Sequence, residues 1–492
     1  MIFTSNLLIH LLTLPLIGIV IISFIQNEQK IKNISIITSF ATFVLSICIW
    51  LCFDNFTSNF QFVNKILWLP NYNINFIIGI DGISLFFVIL TTFLIPLCLL
   101  SSYHSITKNI KAYFISFLFL EFFLLVVFCV LDLMFFYIFF ESILIPMFLI
   151  VGIWGSRERK IRASYLLFIY TLGGSLLMLL AIISIFSIYG TTDYNVLLNK
   201  NIDELHQKFY WLAFFSSFAV KVPMLPFHIW LPEAHVEAPT AGSVILAGVL
   251  LKLGSYGLLR FSIPLFPKAT IFFEPLVFTM AIIAIIYTSL TAIRQTDIKR
   301  IIAYASVAHM NLILLGLFSL NIQGIEGSIL QMLSHGLVSS ALFLCVGILY
   351  DRYHTRLVSY YSGIVQVMPI FVCFFLLYIL SNIALPGTSS FTGELLILVG
   401  IFQENVTATF FGATGIILGG AYSLWLFNRI AFGNISNEFL KNFNDVSLKE
   451  FLIHIPLSIS ILIMGIYPKI FLEPMHSSIF NLIIHILNNV SK

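Results

Sequence analysis

Seven ionisable side chains lie inside apolar segments of this chain. Glu121 sits in FISFLFLEFFLLVV and Glu141 in FFYIFFESILIPMFL. Lys221 sits in FFSSFAVKVPMLPF and Lys252 in ILAGVLLKLGSYGLL. His309 is central in SVAHMNLILLG, His335 in QMLSHGLVSSALF, and Glu394 lies in LPGTSSFTGELLILVG. A charged Asp, Lys or Arg at the centre of a membrane helix costs about 2.5–3.5 kcal/mol on insertion scales, so such groups mark function by default. From Glu141 onward the order is Glu, Lys, Lys, His, His, Glu. The chemistry open to that series is proton transfer. A dry site disfavours the charged form of a lysine, and a nearby carboxylate restores it. Moving or neutralising the carboxylate then switches the lysine between holding and releasing a proton. Glu141 is the natural partner of Lys221. Lys252 can accept what Lys221 releases, and Glu394 is the terminal acid before the outer face. Histidines, with an unperturbed pKa of about 6.5, suit the intermediate transfers.

Each group also has a plainer reading. Glu141 and Lys221 could lock two helices as a static ion pair. Lys252 could snorkel to an interface, although its mid-segment position counts against that. Glu394 could cap the half-helix that restarts after Pro386-Gly387. His309 and His335 could be satisfied core histidines, and Glu121, second in rank here, could bond a neighbouring helix. A haem would need two histidines facing each other, and no spacing singles out such a pair. After Lys221, HIWLPEAHVEAP gathers His228, Glu233, His235 and Glu237. These could collect protons at an entrance, or belong to a turn that packs two helices. Pro232 and Pro239 break any His-x-x-x-His helical face, so no metal site is expected. Cys48, Cys52, Cys98, Cys129, Cys345 and Cys373 fall in apolar segments with no Cys-x-x-Cys pair. They are expected to be buried structural thiols rather than iron–sulfur or zinc ligands. The sequence has no phosphate loop, dinucleotide fingerprint or nucleophile–base constellation, so no bond-making catalytic residue is expected.

The elements that must position these groups follow from composition. Of 492 residues, 59% are hydrophobic and 10% charged, and the mean hydropathy is +1.02. Soluble proteins are roughly 25% charged. That difference excludes a soluble globular chain, a disordered chain and a nucleic-acid-binding domain. It leaves an all-α polytopic membrane protein. A barrel is excluded because the apolar runs are continuous rather than alternating. Fourteen spans are expected, at 5–25, 34–53, 80–100, 113–131, 133–154, 163–188, 209–230, 240–261, 271–292, 299–319, 325–349, 361–384 continuing to 401, 406–431 and 451–471. The gaps 54–79, 189–208 and 432–450 are too short for a soluble domain, so residues 1–492 read as a single transmembrane domain. The N-terminus lacks a basic region before its apolar run and reads as the first helix rather than a cleaved signal.

Loops after odd-numbered spans carry sixteen Lys and Arg, against five after even-numbered spans. Odd loops are therefore expected on the cytoplasmic or mitochondrial matrix side, with both termini opposite. Two spans are interrupted. The seventh contains Pro223, Pro226 and Pro232, each without an N–H, and the twelfth contains Pro386-Gly387. Broken backbone at membrane depth is tolerated only where it is buried in protein or lines a wet cavity. Two breaks five helices apart point to inverted five-helix repeats, 113–261 and 271–431, which is a transporter pattern. Gly254-Ser255-Tyr256 and Gly420-Ala421-Tyr422 are its faint sequence trace. Gly415-x-x-x-Gly419 is expected to permit close helix packing.

Four runs together are a specific signature: FAVKVPMLPFHIWLPEAHVEAPTAGSVILAGVLLKLGSYGLLRF, IAYASVAHMNLILLG, QMLSHGLVSSALFLCVGILYDR and LPGTSSFTGELLILVG. They resemble the antiporter-like subunits of respiratory complex I, the NADH:ubiquinone oxidoreductase, over about residues 79–475. The mitochondrial form is the more similar. The resemblance implies a fourteen-helix fold with inverted repeats, and a proton channel driven by quinone reduction elsewhere in the complex. It places Glu141 at the family's fifth-helix glutamate, Lys221 at the lysine of the broken seventh helix and Lys252 at the connecting lysine of the eighth. His309 and His335 match the central histidines of the tenth and eleventh helices, and Glu394 the acid of the broken twelfth. NADH, FMN, the iron–sulfur clusters and ubiquinone would belong to other subunits, with no cofactor in this chain. The implied partners are other membrane subunits of the complex, including neighbouring antiporter-like ones, and lipids. No nucleic acid is expected. The long lateral helix that ends the distal family member is expected to be absent, the chain ending shortly after its fourteenth helix.

Two other readings remain open. Subunits of multisubunit sodium–proton antiporters resemble the same fold and share its lysine–glutamate core. The flanking motifs, and a Phe-, Ile- and Asn-rich composition typical of AT-rich organelle genes, favour complex I. A purely structural scaffold is the third reading, and it would not need Lys221, Lys252 and Glu394 buried at this cost.

Overall fold

The computed structural model describes residues 6–435 and 443–490. Helices α1 (Leu7–Phe24), α2 (Glu28–Leu51), α3 (Gly82–Ser101), α4 (Ile110–Cys129), α5 (Leu133–Trp154) and α6 (Lys160–Tyr189) come first. The seventh helix is in two pieces, α7a (Glu204–Lys221) and α7b (Trp230–Glu237). Then follow α8 (Thr240–Leu265), α9 (Pro267–Arg294), α10 (Ile298–Leu317) and α11 (Ile322–Tyr353). The twelfth is split into α12a (Pro369–Asn382) and α12b (Ser389–Glu404). Helices α13 (Val406–Ala431), α14 (Leu448–Ile466) and α15 (Lys469–Val490) complete the chain. Apolar runs of this length become helices because lipid offers the backbone no hydrogen bonds, so each segment must satisfy its own. Their starts are set locally. Asn27, Asp81, Asp132, Asp297, Asn321 and Ser447 each accept backbone N–H groups at the first turn of the helix that follows. Without such caps those N–H groups would be orphaned.

The structure departs from the sequence expectations in four places. The gap 54–79 holds a β-hairpin, β1 (Gln61–Leu69) and β2 (Ile74–Ile80), antiparallel, with Asn73 left-handed in the turn. The Leu131 N–H donates to Ile77 O (2.9 Å), fastening the hairpin to the α4–α5 junction. The twelfth span starts at Pro369 rather than 361, because residues 354–368 form a loop with two short 3-10 turns. Only Cys98, Cys129 and Cys345 are buried. Cys52 and Cys373 are exposed and Cys48 is intermediate, since an apolar run has an outward face as well as an inward one. The gap 432–450 is described only in part, as 436–442 lie outside the described residues.

The fourth departure is α15, a further 22-residue helix after the fourteenth. Its contacts lie along one end of the bundle. Gly82 N–H donates to Ser478 Oγ (3.2 Å), and Ser477 Oγ donates to Asn55 O (3.1 Å) and Thr57 O (3.2 Å). His476 Nδ1 is 2.6 Å from Glu326 Oε1, and His485 Nε2 is 3.2 Å from Leu198 O. These partners sit in the loops after α2 and α6 and at the starts of α3 and α11. The helix therefore lies across the bundle end rather than through it. Among the described residues thirteen helices are long and apolar enough to cross a membrane, α15 among them. Setting α15 aside and adding the two broken helices leaves fourteen crossings.

Helices α8 and α11 form the wholly buried centre, whereas α2 and α14 keep most of their surface outward. The central pair approach closely because neither has a side chain at the crossing. A Cβ on Gly248 would lie 2.7 Å from Ser340 Oγ, and one on Gly336 would lie 3.0 Å from Gly248 O. On α13, a Cβ on Gly415 would meet Ile285 of α9 at 2.5 Å, whereas Gly419 has no such close neighbour.

Candidate functional site

The break in α7 is made by its prolines. Residues 222–229 leave the helix, and Trp230 Nε1 donates to Val220 O (2.9 Å), satisfying a carbonyl near the break. Lys221 is the last residue of α7a and is buried. Its ammonium donates to Phe140 O (3.3 Å) and sits 3.8 Å from the centre of the Phe140 ring. Glu141 is the next residue along α5. Both of its carboxylate oxygens are buried, with the Ser175 hydroxyl of α6 as the neighbouring donor. The two groups are thus neighbours through Phe140, without a closed ion pair. Gly254 of α8 packs against Phe218 O and Lys221 Cβ, so the backbone two residues from Lys252 touches the base of Lys221.

Lys252 lies between two π-helical segments, Leu246–Leu250 and Leu258–Ser262. The Leu251 N–H reaches back to Leu246 O, past Ala247 O. Ala247 O accepts instead from Lys252 Nζ. Such bulges occur frequently at functional sites. The same Nζ is 2.7 Å from His335 Nδ1 on α11, a contact the Gly248–Gly336 crossing makes possible. The His335 and His309 rings lie 5.8 Å apart, and both Nε2 atoms are buried without a protein partner. His309 Nδ1 is 3.2 Å from Glu394 Oε1, which also accepts from Gln331 Nε2 (3.0 Å). Lys252, His335, His309 and Glu394 therefore form one file across α8, α11, α10 and α12b.

Glu394 is the sixth residue of α12b, beyond its first turn. Its partners come from α10 and α11. Gly387 (φ +92°) supplies the left-handed turn that restarts this half-helix. A Cβ on Gly465 of α14 would lie 2.4 Å from Gly387 O, so α14 closes tightly over the break.

The His228–Glu237 group does not converge. His228 faces Tyr287 and Tyr304, and Glu233 pairs with Arg300 (2.8 Å). The His235 ring stacks on Phe343 at 4.7 Å. Glu237 lies 4.0 Å from Arg356. Among the described residues no group of three His, Cys, Asp or Glu is arranged to hold a metal ion. Glu121 is buried apart from the file and accepts from Thr42 Oγ1 of α2.

Several buried polar groups were not singled out from sequence. Lys299 and Arg356 look like loop charges but are buried. Lys299 Nζ donates to Ala238 O (2.9 Å), and Arg356 donates to Val236 O while lying 3.7 Å from Asp297. Arg260 forms a buried pair with Asp81, the cap of α3. Gln331 is visible in sequence only as a polar residue four before His335, and Ser334 bonds Ser389 and Ser390 at the start of α12b (2.7 and 2.8 Å).

Comparison with known proteins places this arrangement. Residues 130–419 match the family model described as NADH:quinone oxidoreductase/Mrp antiporter, TM, and residues 10–131 match NADH-ubiquinone oxidoreductase chain 4, amino terminus. NADH-ubiquinone oxidoreductase chain 4 of Marchantia polymorpha is 61% identical over 98% of both chains, and that of Arabidopsis thaliana is 59% identical over 96% of both. The chain belongs to the NADH-ubiquinone oxidoreductase chain 4 family. This assignment does not favour the sodium–proton antiporter alternative. The chain-4 fold superposes on a chain of respiratory complex I from Thermus thermophilus with TM-score 0.89, at 26% identity, covering 97% of this chain and 99% of that one. It also superposes on a chain of the Mrp complex from Dietzia sp. with TM-score 0.85, over 99% of this chain and 100% of that one. At 18% identity this second likeness concerns the fold alone.

Proposed function

We propose that this chain is an antiporter-like membrane subunit of respiratory complex I that moves protons across the mitochondrial inner membrane. The observation that carries the reading is the file from Lys252 to Glu394 in the buried centre of the bundle, contiguous except between the two histidine rings. Lys252 donates to Ala247 O and exchanges a proton with His335 Nδ1. The two histidines pass it between their facing rings, with ordered water as the bridge between the Nε2 atoms. Glu394, positioned by Gln331, receives it from His309 Nδ1. Lys221 supplies Lys252, and Glu141 sets whether Lys221 holds its proton. His228, Glu233, His235 and Glu237 line the approach from the matrix side.

In this reading odd-numbered loops face the matrix and both termini the intermembrane space. Residues 113–261 and 271–431 are the two inverted repeats. The chain contributes to an oxidoreductase without a redox site of its own; NADH, FMN, the iron–sulfur clusters and ubiquinone act in other subunits. Complex carrying Lys252→Met, assembled and assayed in sealed vesicles, tests it. NADH oxidation uncoupled from acidification, with proton yield lowered at least tenfold, is expected of a relay. A scaffold would keep the full proton yield once the complex had assembled.

A further inference from the structure

We propose that the groove between α2, the α3–α4 turn and α14 binds the phosphate of an anionic phospholipid. The groove has a volume of about 470 Å³ and is lined by Ile36, Ile37, Leu100, Leu452 and Ile453, with Lys449 at its mouth. Leu100, Lys449 and Ile453 also line an adjoining polar cavity of about 160 Å³ that reaches His454 and Asp351. Two ammonium groups lie near one ring at the mouth. Lys32 Nζ lies 5.0 Å and Lys449 Nζ 5.1 Å from the centre of the Tyr103 ring. Lys32 Nζ also donates to Tyr103 O (2.6 Å).

Among the described residues neither lysine has a carboxylate partner within 4 Å. Glu450, next to Lys449 in sequence, is taken on both oxygens by Arg352 (2.9 Å each). Among the described residues that line the two cavities Asp351 is the remaining acid, set against two ammonium groups. His104 adds no negative charge and accepts from Lys449. Partial burial, together with the Lys449 and Lys32 charges, holds its imidazole below the ordinary range. The mouth is therefore net positive.

Its position fits a lipid. Lys32 lies in the second turn of α2, Lys449 in the first turn of α14, and Tyr103 just past the end of α3. All three are at the level where spans end, where tyrosines and basic residues meet headgroups. Below them α2 and α14 are among the least buried spans of the fold. A phosphate between the ammonium groups would place an acyl chain along Ile36, Ile37 and Leu452. The proposal uses the membrane-spanning fold and not the proton path, so either can fail alone.

The test is made on the intact complex. It is stripped of lipid in detergent and then given phosphatidylglycerol or uncharged diacylglycerol, with hydrogen exchange read in segments 102–109 and 447–453. Protection by phosphatidylglycerol alone is expected. Equal protection by both, or by neither, would overturn the proposal. Complex with Lys32→Gln and Lys449→Gln should need about fivefold more phosphatidylglycerol per lysine removed, at ~1 kcal/mol per basic residue. Lys449→Arg should keep the native response. If the variants fail to assemble, the lipid comparison on native complex still decides. A neighbouring subunit's side chains found filling the groove in the assembled complex would also sink it.

Discussion

The two halves of the ionisable series are built differently. From Lys252 to Glu394 the side chains stand in one file, with polar contacts of 2.7 and 3.2 Å at its two ends. From the His228–Glu237 segment through Lys221 to Lys252 they do not. His228, Glu233, His235 and Glu237 each turn to different neighbours, and Lys221 meets Glu141 only by way of Phe140. The cause is backbone. Glycines at the α8–α11 crossing bring two intact helices close enough for a lysine to touch a histidine. In the seventh helix the prolines break the chain and send successive side chains in different directions. In the proposed relay, transfer through the first half therefore calls for water or movement at each step, whereas the second half is open only between its two histidine rings. Control by the rest of a complex is expected to act on the first.

The tightly joined end is the more sensitive to substitution. Glu394→Gln keeps an acceptor for Gln331 but cannot carry a proton away. Proton yield per NADH should fall at least tenfold in sealed vesicles, with NADH oxidation in detergent retained; an unchanged yield would mean that the file ends elsewhere. The loose end should respond less. Phe140→Leu removes the ring beneath Lys221, a contact worth about 0.5–2 kcal/mol. Its expected effect is about a threefold loss of proton yield, and a tenfold loss would show that the first half is as tightly joined as the second. The smallest functional effect belongs to Thr42→Val. It leaves the Glu121 carboxyl buried without its partner, which costs about 1–3 kcal/mol of stability. Assembly should decline while the proton yield of each assembled complex stays within twofold. A larger change in yield would put Glu121 on the path.

Much of the fold was legible because its causes are local. Apolar runs of about 20 residues must be helical in lipid, and the paired Pro223 and Pro226 and the Pro386-Gly387 step mark the interruptions, whereas single prolines such as Pro15 and Pro96 stay inside continuous helices. The hairpin was not legible, since Asn64 and Lys65 sit where a clear alternation would have shown a strand. Helix α15 was not legible as a separate element because only Tyr467 and Pro468 part it from α14 and it is the least apolar of the candidate spans among the described residues. Only its contacts with the loops after α2 and α6 show that it lies across the bundle end.

What the sequence determined is which groups are buried at a cost: a lysine, a histidine or a glutamate in the middle of an apolar run is anomalous wherever that run packs. It could not determine partners. Lys252 and His335 are 83 residues apart, and His309 and Glu394 lie on helices that are not consecutive. Their meeting depends on how closely α8 and α11 cross and where α12b restarts. The same limit hid Lys299 and Arg356, which look like loop charges until neighbouring helix ends close over them. Burial of a run is a property of its composition, but contact between two side chains is a property of packing, and packing exists only once the helices have come together.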